Sequence, residues 1–344
     1  MTKPREAYPE TGSLLTSDLP PVDGWSAWHV FLYDFGEQDA FLHEVVAPLL
    51  EGMKARQGET FRWFYIRYWE NGSHLRLRFR HLGRSDFEDI GRQLLASVER
   101  FAGTPSASML QASASPSAGG SGGPEIPVLF PAGTVAEIAY EPETRRYGGR
   151  QCIRGCEDAF EVSSSIALHF LGSDRATAAG RRGLGLLLTA IGAAMATSNE
   201  MELSAFMAET QSTWAHYLGD LVSGTSSPHS RAPRSQEIAH HVLSLALASR
   251  EGQIPNDPLA GQWTDLLVAE KERMTALHVL GALVCPRTGA VTRSDHDRDR
   301  AIASIFSSYN HMMMNRLGIT PALEYEFASL LAEALASSPS LSEN

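Results

Sequence analysis

The stretch TFRWFYIRYWENGSHLRLRFRHLG, residues 60–83, decides the fold of the first part of the chain. Two runs rich in aromatic and β-branched residues flank the pair Asn71-Gly72, which favours a tight turn, so we predict a β-hairpin. In the second run arginine alternates with apolar residues, so a strand would carry guanidiniums on one face and a buried apolar surface on the other. These arginines are Arg76, Arg78 and Arg80.

The segments on either side of the hairpin extend it into a larger unit. WSAWHVFLYDF (25–35) and TVAEIAYEPE (134–143) have the composition of strands, whereas DAFLHEVVAPLLEGMKAR (39–56) and DFEDIGRQLLASVERF (86–101) repeat apolar residues at helical spacing. The resulting order, β-α-β-β-α-β over residues 25–142, is that of a ferredoxin-like unit. From Glu157 onward the segments show helical periodicity, so we predict an α+β fold in which residues 143–337 form a mainly helical second part.

Two segments are predicted to lie outside this packed structure. Residues 104–124 carry no charge and almost no apolar surface, so we expect a disordered insertion. Residues 1–24 have no apolar core of signal-peptide length, and we expect a loose segment leading into the fold.

Composition excludes several classes of partner. The net charge of −11 argues against nonspecific nucleic-acid binding, which needs a basic face. The chain has three cysteines, an odd number that suits a reducing compartment, and no apolar run of membrane-spanning length. We therefore predict a cytoplasmic protein with no membrane or nucleic-acid partner.

The sequence contains no recognisable cofactor-binding motif. The sequence contains neither a phosphate-binding P-loop nor a glycine-rich dinucleotide motif after a strand. Glu237 and His240 form a single E-x-x-H, whereas a metal site in a helical bundle needs a pair of them. We predict that the protein uses no cofactor or metal and works through its side chains.

Three polar clusters remain as candidate sites. Hairpin pairing would bring Arg67 near the arginine row, giving forked donors for a carboxylate, a carbonyl or an oxyanion. The RRYGG loop (145–149) follows a strand, and its glycines allow close backbone approach. A histidine and an asparagine four residues apart share a face of a late helix. The alternatives are a solvated strand face, a plain turn and a core histidine. The candidates are Arg67, Tyr68, His74, Arg76 and Arg78; Arg146 and Tyr147; and His311, Asn315 and Arg316.

These motifs, taken in order, resemble the C-terminal domain of lantibiotic dehydratases, which also occurs free-standing in thiopeptide biosynthesis. The resemblance runs from about Trp25 to Leu335 and includes WFYIRYW, HLRLRF, the RRYGG loop and HMMMNRL. It implies one of two reactions. Elimination domains remove glutamate from glutamylated Ser or Thr, and pyridine synthases join two dehydroalanines of one peptide by a formal (4+2) aza-cycloaddition. In eliminating relatives the matching arginines and histidine are functional, which implicates Arg76, Arg78, Arg146 and His311.

Two departures from the eliminating pattern favour the cyclising reaction. Eliminating relatives typically read F-x-x-D-S after the RRYGG loop, whereas this chain has Ser163 at the acidic position, followed by Ser164. Met313 stands where relatives often carry a second histidine. The resemblance therefore implies a cofactor-independent thiopeptide pyridine synthase, a lyase-type peptide cyclase. Its partner is a modified precursor peptide with a leader and dehydroalanines, bound in a broad groove over the sheet.

The predicted site residues follow from this assignment. His311 or Tyr147 would move protons, while Arg146 and the arginine row would polarise carbonyls. The predicted substrate-binding residues are Arg67, Tyr68, His74, Arg76, Arg78, Ser164, Asn315 and Arg316. Two alternatives remain: a glutamate-elimination domain, and a noncatalytic subunit that binds the precursor peptide.

Overall fold

The computed structural model describes residues 14–15, 24–114, 129–219 and 233–337. It divides the chain into two compact units, Met1–Glu141 and Pro142–Asn344. A sheet with flanking helices forms the first unit, and helices dominate the second. The prediction of an α+β fold is therefore confirmed.

The first unit contains one sheet with the strand order β1-β5-β2-β4-β3. Strand β1 runs parallel to β5, and every other neighbouring pair is antiparallel. The ferredoxin-like description stays a prediction, because the sheet also carries β1 at its edge. The strands are β1 Leu14–Leu15, β2 Trp25–Phe31, β3 Arg62–Tyr68, β4 His74–Arg80 and β5 Val135–Glu137.

The helices of this unit connect the strands. An Asp34 side chain accepts hydrogen bonds from the first turn of α1 and thereby fixes its start. A π-helical turn, Leu42–Val46, joins α1 to α2 without a break. The helices are α1 Phe35–Phe41, α2 Ala47–Gln57, α3 Arg84–Val98 and α4 Ala107–Ala114.

The predicted hairpin is present as β3 and β4. Asn71 and Gly72 both have positive φ, as the tight turn between the strands requires. The apolar face of β4 is fully buried, and Trp28 on the same face of the sheet donates a hydrogen bond from Nε1 to the Phe87 carbonyl at 3.0 Å. This contact holds α3 against the sheet. The opposite face carries the arginine row.

The segment 104–124 is not wholly without structure, so part of that prediction is wrong. Residues 107–114 form α4, and Ser106 Oγ accepts a hydrogen bond from the Met109 amide at its start. The physical reason is local, because Ala, Met, Leu and Gln favour helix even where little surface is buried. Residues 115–124 lie outside the described residues. In the leading segment, Leu14–Leu15 pair with β5, and the rest of 1–23 lies outside the described residues.

The second unit is built around a buried helix, α6. Its residues from Leu184 onward are almost all buried, and α8, α9 and α10 pack around it. Small side chains allow this close packing, as at Gly192, where an added Cβ would lie 1.7 Å from Asn310 Oδ1. The helices are α5 Arg150–Leu171, α6 Ala178–Ala196, α7 Glu200–Leu218, α8 Pro233–Arg250, α9 Pro258–Val279, α10 Asp295–Arg316 and α11 Pro321–Ala336. Among the described helices, none combines the length and the apolar character needed to cross a membrane.

Candidate active site

A cavity of about 290 Å³ opens into the helical unit. Helices α6, α7, α10 and α11 and the RRYGG loop contribute its walls. Its lining residues are Arg146, Thr189, Phe206, Met207, Glu209, Thr210, Thr213, Trp214, Arg287, Ser307, Ser308, Asn310, His311, Met314 and Glu324. Two of the three predicted catalytic residues, Arg146 and His311, therefore line the same cavity.

His311 on α10 is oriented by a carboxylate from the next helix. Its Nδ1 lies 3.0 Å from Oε1 and 3.2 Å from Oε2 of Glu324, which stands in the first turn of α11. Because Nδ1 donates to the carboxylate, Nε2 is the ring nitrogen that can exchange a proton with a ligand. The Trp214 ring packs against the imidazole at a centroid distance of 5.1 Å and limits its rotation.

Burial shapes the electrostatics of this pair. The Glu324 side chain is 7% exposed, and burial raises the pKa of its carboxyl group, with His311 and Arg146 nearby opposing the shift. A carboxylate in contact with Nδ1 fixes the tautomer and the orientation of the His311 ring. The pair is therefore suited to accept and return a proton.

Arg146, in the RRYGG loop, lies beside this pair. Its Nε donates to Ser308 Oγ on α10 at 3.1 Å, and its Nη1 donates to Glu143 Oε2 at 3.0 Å. The loop reaches this position through Gly148 and Gly149, which have φ of 79° and 95°. The guanidinium is thus a fixed positive charge at the cavity, able to stabilise a developing oxyanion.

Tyr147 lies elsewhere and does not line this cavity. Its side chain is buried against Phe160, at a centroid distance of 4.8 Å, and against Tyr309, at 5.9 Å. Burial raises the pKa of its hydroxyl to about 12. The structure therefore places Tyr147 in the aromatic core of the helical unit.

Ser164 and Arg316 were both predicted to bind substrate. In the structure they form a hydrogen bond with each other. Arg316 is 1% exposed, and its Nε donates to Ser164 Oγ at 3.0 Å. Ser164 Oγ in turn donates to the Phe160 carbonyl of its own helix. This contact ties α10 to α5, and neither residue lines the cavity. Asn315 is half-buried on α10 and also lies outside the cavity lining.

The hairpin cluster forms a row of cations stacked on aromatic rings in the first unit. Arg76 lies 3.5 Å from the Tyr68 ring centroid, and Arg78 lies 4.6 Å from that of Tyr140. His74 accepts a hydrogen bond from Arg76 Nε at 3.0 Å, while its other nitrogen lies 2.6 Å from the Gly72 carbonyl. Arg76 and Arg78 thus share one sheet face, as predicted, and Tyr68 and His74 lie on the same face.

Arg67 lies on the other face of the sheet, so its predicted place beside the arginine row is wrong. In the β3–β4 register Arg67 is opposite Leu75, whereas Arg76 is opposite Ile66. Because side chains alternate along a strand, Arg67 points to the buried face. It is 2% exposed and donates to Asp39 Oδ1 at 2.6 Å and to Gln38 Oε1 at 3.2 Å. These contacts join β3 to α1.

Sequence reasoning missed Glu324, which orients His311, together with Trp214, Glu143 and Ser308. One available signal was TPALEYEF (320–327), a stretch that is easily recognised as the start of a helix. Of its two glutamates, Glu324 lies on the apolar side of that helix. A metal site was not predicted. Within the described ranges, no group of three or more His, Cys, Asp or Glu is arranged to hold a metal ion.

In the second unit, the His311–Glu324 pair and Arg146 thus line one cavity. Comparison by sequence identifies the family: residues 25–335 match the C-terminal domain of the lantibiotic biosynthesis dehydratases, so the chain belongs to this family. The curated proteins, compared by sequence, gave no match.

Solved structures share the fold. TbtD, a pyridine synthase from thiomuracin biosynthesis, superposes with a TM-score of 0.66 at 19% identity, covering 92% of this chain and 99% of TbtD. TsrL gives a TM-score of 0.61 at 18% identity over 90% of this chain and 93% of TsrL. MibB, a tRNA-dependent lantibiotic dehydratase from Microbispora sp. 107891, gives 0.51 at 18% identity, covering 95% of this chain and 29% of MibB. At these identities the likeness shows the fold.

Proposed function

We propose that the protein is a thiopeptide pyridine synthase that joins two dehydroalanines of one leader-bearing peptide by a formal (4+2) aza-cycloaddition. The observation that carries the proposal is the pair of His311 and buried Glu324 beside Arg146 at one cavity. These residues supply a proton-transferring group and a fixed cation, which are the two functions this reaction requires. The family membership and the fold shared with a pyridine synthase support the same reading.

Each chemical step of this reaction moves protons. The amide before the second dehydroalanine passes its N–H proton to its own oxygen and becomes an iminol, and the resulting 2-azadiene adds across the first dehydroalanine. The ring then loses water and the leader peptide as an amide, which leaves an aromatic pyridine without any change in oxidation state. His311 Nε2 takes and returns protons, and Arg146 stabilises negative charge on the amide oxygen. Holding the two alkenes together supplies much of the remaining acceleration.

The environment of Ser163 argues against glutamate elimination. The Ser163 hydroxyl lies 3.0 Å from the Ala159 carbonyl and 3.1 Å from the Phe160 carbonyl, within its own helix. It is buried and does not line the cavity, so it does not replace the acid that eliminating relatives carry at this position. We also propose that Arg76 and Arg78, exposed in part on their sheet face, contact carbonyls of the precursor peptide.

Glutamate elimination is the second candidate, favoured by the cavity itself. Its volume of about 290 Å³ suits one amino-acid side chain, and Arg146 and Arg287 both line it. Arginines are the donors that the carboxylates of a departing glutamate would require, although Glu143 and Glu209 already pair with these two.

Two peptides distinguish the candidates. We expect the purified protein to convert a leader-bearing peptide with azoles and two dehydroalanines into a product lighter by one water and the leader amide, as measured by mass spectrometry. A peptide with a glutamylated serine should remain unchanged. Glutamate loss from the second peptide without conversion of the first would contradict the cycloaddition, and binding of both without turnover would indicate a noncatalytic subunit.

A further inference from the structure

A second cleft continues from the cavity. It has a volume of about 550 Å³ and is lined by residues 142–146, Pro286, Arg287 and Ser304. Arg146 and Arg287 line both the cleft and the cavity. The cavity and the cleft therefore adjoin at these two side chains.

Arg287 is held at this junction from two sides. It lies in the turn of a short two-stranded segment in which Val284 pairs with Val291. The Val284 amide donates to the Gly148 carbonyl at 2.9 Å, which attaches this turn to the RRYGG loop. From the other side, Glu209 on α7 accepts from Arg287 Nη2 at 2.5 Å. The position of Arg287 is thus fixed relative to Arg146.

The charges at the junction are balanced. Arg146 pairs with Glu143, and Arg287 pairs with Glu209, so each guanidinium has a carboxylate partner in the protein. Such a junction is poorly suited to an incoming carboxylate, because the two glutamates repel it. A neutral hydrogen-bond acceptor suits the junction better. A guanidinium has five N–H donors, and Glu209 contacts the Arg287 guanidinium through Nη2.

We propose that this cleft binds the neutral main chain of the peptide substrate next to the reacting residue, with Arg287 donating hydrogen bonds to backbone carbonyl oxygens. The inference rests on the proposed function, in which a peptide residue occupies the cavity beside His311. A peptide has to leave the cavity along its main chain, and carbonyl oxygens are the acceptors that every residue offers there. Arg287 would then set how the peptide is placed without taking part in proton transfer.

A matched pair of variants tests the assignment. In Arg287→Gln the side chain loses its charge and its forked donors. Arg182→Gln is the control, because Arg182 and Glu326 form an ion pair of the same 2.5 Å length and similar exposure that does not line the cavity or the cleft. Binding of a fluorescein-labelled, leader-bearing peptide with two dehydroalanines is measured by anisotropy, with His311→Ala added to each protein so that the peptide is not consumed.

We expect Arg287→Gln to weaken peptide binding about tenfold, equivalent to about 1.4 kcal/mol, and Arg182→Gln to leave it unchanged. Equal affinities in the two variants would overturn the cleft assignment, while pyridine formation by the parent protein would still support the proposed function. Competition by free glutamate that depends on Arg287 would also overturn it, because the site would then be a carboxylate site. A parent protein that neither binds nor converts the peptide would refute the proposed function and this inference together.

Discussion

Replacing Glu324 by glutamine separates the catalytic role of the His311–Glu324 pair from its effect on folding. The change keeps the size of the side chain and removes the charge 3.0 Å from Nδ1. A hydrogen bond to a charged group contributes about 1.5–3 kcal/mol and a neutral one about 0.5–1.5 kcal/mol. The middles of these two ranges differ by about 1 kcal/mol, which corresponds to roughly fivefold in rate. If the amide turns its NH₂ group toward Nδ1, Nε2 keeps the proton, and a general-base contribution of about 10²–10⁴-fold is lost as well. We expect turnover to fall about 10²-fold.

The same substitution should not destabilise the protein. Burial raises the folded-state pKa of Glu324 above the usual value of 4.5. The folded protein therefore binds this proton more tightly than the unfolded chain does, and ionised Glu324 reduces stability once the pH exceeds 4.5. At neutral pH a glutamine avoids this cost, so the melting temperature of Glu324→Gln should equal or exceed that of the parent protein.

Glu270→Gln provides the contrasting control. Glu270 is also buried, but its partners are Arg273 at 2.6 Å and the Tyr309 hydroxyl at 2.5 Å. Breaking this pair leaves Arg273 without its carboxylate and should lower stability by about 3 kcal/mol, with little change in turnover of the folded protein. Single-turnover rates with the bis-dehydroalanine peptide and thermal unfolding measure both effects. A Glu324→Gln protein that melts early yet turns over at the parent rate would refute the reasoning.

Three further predictions concern the arginines and the buried histidine. Arg67→Ala should lower stability by about 2–4 kcal/mol because it removes a buried guanidinium that pairs with Asp39, as urea unfolding would measure. Unchanged stability with weaker peptide binding would instead assign Arg67 to substrate. Arg146→Lys should fold normally but lose most turnover, because an ammonium cannot reach Ser308 and Glu143 together; a rate equal to that of the parent protein would argue against the oxyanion role. Burial, followed by the Arg76 charge, lowers the pKa of His74 from 6.5 to about 3, so the unfolded chain gains a proton below pH 6.5 that the folded protein does not. The free energy of unfolding should therefore be lower at pH 5 than at neutral pH by about 2 kcal/mol. His74→Phe should abolish this part of the loss when urea unfolding is compared at neutral pH and at pH 5.

Local signals in the sequence were sufficient for the hairpin and for most helices. The Asn71-Gly72 pair and the alternation in β4 predict the turn and the two faces without further information. The position of Arg67 could not be obtained in the same way, because it depends on which β4 residue it pairs with. A shift of one residue in that register would move the Arg67 side chain to the other face. Likewise α4 forms from local propensity in a segment whose composition indicates disorder.

The candidate site was only partly predictable for a related reason. Arg146 and His311 belong to motifs that are recognisable along the chain, and both line the cavity. Glu324 becomes significant only when the packing of α10 against its neighbours is known, because nothing local to it indicates His311 as its partner. Ser164 and Arg316 were correctly noticed as polar groups in helices, but their mutual hydrogen bond satisfies them within the core. Polar residues in motifs thus include structural pairs that only the three-dimensional structure separates from the site.

The fate of one nitrogen atom tests the proposed cycloaddition most directly. The precursor peptide is prepared with ¹⁵N in the dehydroalanine that adjoins the leader, and the released leader is analysed by mass spectrometry after incubation with the protein. In the cycloaddition this nitrogen leaves with the leader, so we predict a ¹⁵N-labelled leader amide together with an unlabelled pyridine macrocycle. A leader released as an unlabelled carboxylic acid, or a label that stays in the core peptide, would contradict the proposal.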